Sequence, residues 1–128
     1  MPTGLQFPPL SAGGRLTADE FVRRYEQMPD AFHAELVEGV VYPLEPASAE
    51  EHGEPQFDLV GWLGVYRAHT PRVRGGTNCT LLLDALNVPQ PDGYLRLLTE
   101  FGGQSRLAGG YVRGAPELIV EVTACGAS

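Results

Sequence analysis

The apolar positions of this chain change spacing several times, and each change marks an element. Phe21, Val22 and Tyr25 fall on one side at helical spacing. Thr17, with Glu20 three residues later, forms a capping box, and Pro29-Asp30 ends the run, so a helix is predicted from Thr17 to about Met28. Ala34 to Leu44 then alternates, rich in Val and Leu, around a central Glu38-Gly39. That is the pattern of two short antiparallel strands joined by a tight turn, with Pro43 and Pro46 closing the unit. Ser48 to His69 reads as a second helix. Ser48 is its N-cap, Glu51 completes a second capping box, and Glu50, Glu51 and Glu54 suit the positive end of its dipole. Gly53 and Pro55 weaken the first turns and allow a start nearer Gln56. Phe57, Val60 and Leu63, with Trp62 beside them, form the predicted core stripe. After Pro71 the pattern turns to strands at Asn78 to Leu83, Asp92 to Thr99 and Glu117 to Thr123. The connection from Phe101 to Gly114 holds five glycines and reads as a long loop with a small hairpin at Tyr111-Val112-Arg113. This order predicts an α/β or α+β fold with a mixed sheet.

Composition narrows the class. At 128 residues, 43% apolar and 20% charged, the chain is one domain able to bury a core. No apolar run approaches the ~20 residues that span a bilayer, so no membrane association is expected. Met1 to Gly14 lacks the basic start and apolar stretch of a secretory signal, and its prolines and glycines suggest a loose arm over residues 1–15, with the domain over 16–128. Cys79 and Cys125 are too few for a disulfide framework and read as reduced, mostly buried thiols, which makes the cytoplasm the default compartment. The net charge of −7 argues against a broad electrostatic footprint on nucleic acid. It leaves room for a carboxylate-lined site. Arg67, Arg72 and Arg74 are the nearest thing to a basic patch and read as ordinary surface charges.

Candidate chemistry lies in three acidic signatures. They are Glu35-Leu36-Val37-Glu38-Gly39, Pro91-Asp92 at the start of a strand, and Glu121 within the apolar run from Leu118 to Val122. Carboxylates from neighbouring strands provide the oxygen ligands a hard divalent cation needs. Each has a blander reading. Asp92 can be a turn aspartate bonding its own backbone. Glu121 can face solvent on an edge strand, or face a polar cleft where burial would raise its pKa unless a cation is near. Of Glu35 and Glu38, three apart on a hairpin, only one can share a face with the other signatures. His52, early in the second helix, is either a surface or capping residue or a catalyst. The chain lacks a P-loop, a dinucleotide fingerprint, zinc spacing and a nucleophile elbow. It also contains no lysine: all nine basic residues are arginines.

The sequence of a helix, a Glu-Leu-Val-Glu-Gly hairpin, a His-bearing helix, a Pro-Asp strand and Ala115-Pro116-Glu117-Leu118-Ile119-Val120-Glu121-Val122 resembles the Uma2 family of restriction-endonuclease-like proteins, within the PD-(D/E)XK nuclease fold, from about Leu16 to Ser128. The resemblance implies an α/β restriction-endonuclease-like core with a mixed central sheet flanked by helices. It implies a metal-dependent endonuclease hydrolysing DNA phosphodiesters. Asp92 and Glu121 would hold Mg²⁺ or Mn²⁺, Glu35 would complete the acidic shell or orient a water, and His52 would stand either behind a metal ligand or on the phosphate side. Two departures lower the expected activity. The position two residues after the glutamate, lysine in the basic pattern, is Thr123, and the serine usual just after the glutamate strand is Ala124. Uma2-like proteins commonly carry the lysine on a later helix, and this chain ends at Ser128. The expectation is therefore a chain truncated at its C-terminal helix and strand, with little or no cleavage, or a non-catalytic interaction module that kept the fold. A homodimer or partner chain would then cover the incomplete core.

Overall fold

The computed structural model describes residues 6–123, which divide into two compact units. Its elements, in chain order, are α1 (Ala18–Glu26), β1 (Ala34–Val37), β2 (Val40–Pro43), α2 (Glu54–Ala68), β3 (Val73–Gly76), β4 (Leu81–Leu82), β5 (Gly93–Leu97), β6 (Arg106–Ala108), β7 (Tyr111–Arg113) and β8 (Leu118–Val120). A π-helical turn (Ala49–Gly53) precedes α2, and a short 3-10 turn (Thr99–Phe101) follows β5. The architecture is mixed α/β, with the strands distributed over three small sheets.

The first unit comprises residues up to Glu45 together with Leu82–Pro89. The Thr17 hydroxyl accepts the N–H of Glu20 at 3.4 Å, as the capping box predicts, and Glu20 pairs with Arg24 and Arg23 at 2.8 and 2.9 Å. The α1 stripe buries Ala18 and Phe21. Phe21, Tyr25 and Phe32 stack edge to face in series. The β1–β2 hairpin turns at Glu38-Gly39, whose φ angles of +49° and +80° need the conformation that favours glycine. The side-chain oxygen of Asn87 accepts the N–H of Glu38 at 2.9 Å, and the Leu86 carbonyl accepts that of Gly39 at 2.8 Å. Leu36, Val41 and Val88 are buried beside them.

The second unit comprises Pro46–Leu81 and the chain from Gln90 onward. Its sheet has the order β3-β5-β8, antiparallel, with Val73 opposite Leu97 and Gly93 opposite Val120. Helix α2 packs on β3 and β5. Gly93 permits this approach, since a Cβ there would lie 2.9 Å from Val120 and 3.4 Å from Val60. A further sheet has the order β4-β7-β6; Gly109 and Gly110, both with positive φ, turn its β6–β7 hairpin. Leu81, Tyr94 and Val112 form a buried cluster.

Three expectations need correction. Phe57 and Trp62 are 79% and 70% exposed rather than core. The inward stripe of α2 is Val60 and Leu63, and an apolar helix offers no polar face to mark which side turns outward. The strand expected over Asn78 to Leu83 shrinks to Leu81–Leu82, while β3, with its two glycines, was not foreseen. Cys79 is exposed rather than buried, and Cys125 lies outside the described residues.

Candidate active site

Asp92 stands one residue before β5, and it is the one buried Asp or Glu among the described residues. Pro91 before it is fully buried, and the Pro91 carbonyl accepts the N–H of Asn78 at 3.0 Å. The carboxylate is held at both oxygens. Nε2 of His52 meets Oδ1 at 2.9 Å, and the main-chain N–H of Val122 donates to Oδ2 at 2.6 Å. A carboxylate removed from water needs such donors to offset desolvation. Asp92 therefore bonds across thirty residues of chain to the segment after β8, not to its own turn.

His52 reaches Asp92 from the π-helical turn. Ser48 caps this turn, its hydroxyl accepting the N–H of Glu51 at 3.1 Å, and the Ser48 carbonyl accepts the N–H groups of both His52 and Gly53. Such wide turns are frequent at functional sites. Gln56, four residues further along, donates its amide to the Asp92 carbonyl at 2.9 Å and to the Asn78 side chain at 3.2 Å. One stretch of helix thus grips both the main chain and the side chain of Asp92. The spacing of four between His52 and Gln56 places them on one helical face, a signal that the sequence carries outside any of its motifs. Val122 contributes through its backbone, which no residue type announces.

Glu121 lies between Val120, the last residue of β8, and Val122, the donor to Asp92, and its side chain is exposed. Carried one step past the Gly93–Val120 pair, the antiparallel register sets Glu121 opposite Asp92. Thr123, at the position of the lysine in the basic pattern, is exposed. Glu35 belongs to the other unit, on β1 opposite Tyr42, and is partly buried. Among the described residues no group of three or more His, Cys, Asp and Glu side chains is placed to hold a metal ion. An all-protein cage of the kind calcium or structural zinc takes is thus not built here. Magnesium asks for less: one or two carboxylates, with water and substrate phosphate supplying the rest.

Away from Asp92, Glu117 acts as a second bracket. Its carboxylate accepts the N–H of Leu97 at 2.7 Å and of Gln104 at 3.0 Å, which holds its pKa below the ordinary value. Burial, more than the neighbouring Cys79, pushes the Tyr94 hydroxyl upward.

A family described as "Uma2: Putative restriction endonuclease" matches residues 18–128. The chain belongs to the Uma2 family. Its mixed α/β architecture is consistent with the restriction-endonuclease-like fold of Uma2 proteins, and the match spans both units. Among curated proteins none matches the chain. No helix of this Uma2 protein is long and apolar enough to cross a membrane among the described residues.

Proposed function

We propose that the Asp92 centre is the nuclease site of this Uma2 protein, acting on DNA phosphodiesters with Mg²⁺ or Mn²⁺, and that the 128-residue chain by itself cleaves little or not at all. The observation that carries the reading is the grip on Asp92: a buried carboxylate held by His52 and the Val122 N–H, with Gln56 on the residue's main-chain carbonyl, directly before a strand. Such fixing is the preorganisation that a site for charged substrates needs. Asp92 and Glu121 would hold the cation, their hard oxygens being the right donors. Bound there, the ion supplies Lewis-acid stabilisation of charge developing on the phosphate. His52 orients Asp92 through Oδ1. The absence of lysine leaves only arginines for positive charge, and arginine stays protonated, which makes it a poor proton shuttle.

A second reading, a non-catalytic interaction module that kept the nuclease fold, is favoured by one fact. Both oxygens of Asp92 already have protein donors, so a cation must share these oxygens with them or displace one. Calorimetry with Mn²⁺ and supercoiled-plasmid nicking separate the two. We expect Mn²⁺ to bind with loss of binding in Asp92→Asn, and nicking near background. Absence of any Mn²⁺ heat would favour the module. Robust nicking abolished by Asp92→Ala would overturn the expectation of inactivity.

A further inference from the structure

An open cleft of about 400 Å³ lies between α2 and β3, lined by Arg67 and Arg74, by Gly64, Gly75 and Gly76, and along its base by Tyr94 of β5. No carboxylate lines it, in a chain with sixteen acidic residues and a net charge of −7. Both arginines are exposed, and among the described residues neither guanidinium meets a carboxylate. Among the described residues Arg74 donates only to the carbonyl of its neighbour Val73, at 3.1 Å. Two unneutralised guanidiniums facing one acid-free cleft form a receptor for oxyanions, which arginine binds in a two-pronged fashion.

The glycines sharpen the assignment. Gly76 has a packing reason, since a Cβ there would lie 2.5 Å from the Tyr94 ring. Gly64 has none: a Cβ would meet nothing within 4 Å. Gly61 on the same helix is equally open, so the bearing of Gly64 is its place on the cleft wall, which it leaves without a side chain. What the missing side chain leaves is room for a ligand backbone to come close to α2. The cleft also lies near the proposed site. Tyr94 is two residues along from Asp92, about 7 Å at strand spacing, or roughly two nucleotide steps of a duplex strand at ~3.4 Å each.

From these observations we infer that the α2–β3 cleft binds the phosphate backbone of DNA through Arg67 and Arg74, seating the strand beside Asp92. The inference rests on the nuclease reading for its choice of polyanion. Its test does not depend on cleavage. Binding of a fluorescent DNA duplex to the full chain is followed by anisotropy in EDTA over a salt series. For Arg67→Ala/Arg74→Ala we expect affinity to fall by about tenfold or more at low salt, and the slope of log affinity against log salt to become shallower by about 2. Gly64→Glu fits without a clash and puts negative charge in the cleft. It is expected to melt no lower than the parent and to lose binding by a similar factor, which covers the case of a double variant that misfolds. Arg23→Ala, on α1 and paired with Glu20, should bind as the parent does. DNA binding in EDTA needs no cation, and the Mn²⁺ heat is read on the parent chain without DNA. These two readouts separate the cleft from the metal reading, because either can fail alone. No binding by the parent chain, or parental affinity and salt slope in both cleft variants, overturns the inference.

Discussion

Asp92 shows how much one side chain can organise. Its carboxylate joins a helical turn to the segment after β8, while Gln56 fixes its carbonyl. Removing either side-chain partner strands a buried polar group, which costs about 1–3 kcal/mol. We expect His52→Ala and Asp92→Asn each to lower stability by that order in urea denaturation. Because the two side chains touch, the double variant should lose less than the sum of the singles. Strict additivity would mean that the contact between the two side chains contributes nothing to the fold. The Pro91-Asp92 dipeptide marked this position in the sequence, since proline forces an extended entry to a strand. The partners were less visible. His52 was noticed as a residue type, Gln56 looked like any polar helix position, and Val122 acts through an atom that every residue but proline carries.

At the scale of elements, local chemistry decided what could be read. The N-caps at Thr17 and Ser48 and the turn at Glu38-Gly39 each encode geometry within four residues, and all three are found, although the return bonds from Glu20 and Glu51 that would complete capping boxes are not made among the described residues. Strand β3 escaped because Val73-Arg74-Gly75-Gly76 has neither alternation nor branched side chains beyond its first residue. It is a strand because β5 supplies the hydrogen-bonding partner. Glu117 is a similar long-range device, tying the end of β5 and the loop at Gln104 to the start of β8. These bonds, that to Leu97 first, lower its folded pKa, so its stabilising contribution is fully present above the ordinary carboxylate range. That contribution is lost as pH falls through the lower folded value. Acid titration of the unfolding midpoint should therefore be shallower in Glu117→Gln than in the parent. Parallel curves would show that the bracket does not couple to folding.

For the molecule as a whole, burial was the hardest property to foresee. Trp62, the single tryptophan, is 70% exposed, with Phe57, Val65 and Tyr66 also open on α2. A helix apolar on every side has no polar stripe to point outward, so periodicity cannot say which residues meet the sheet. The exposure has an optical signature. We expect water-like emission from Trp62 and efficient quenching by iodide in dilute solution. A blue-shifted, protected emission that returns to the water-like form on dilution would mean that another chain covers α2, as expected for a self-associating protein. The family match fits the order of motifs along the chain, and that order survives however its apolar side chains are distributed between core and surface.

The bond from Val122 to Asp92 has one more consequence. Regular pairing of β8 stops at Val120, so the amide two residues later ought to trade its proton for deuterium freely, yet it is fastened to a carboxylate. Its resonance in an isotope-labelled sample therefore reports on that carboxylate alone. A ligand that takes Oδ2 in place of the amide sets it loose, and the exchange rate of a single proton then becomes a meter for that displacement.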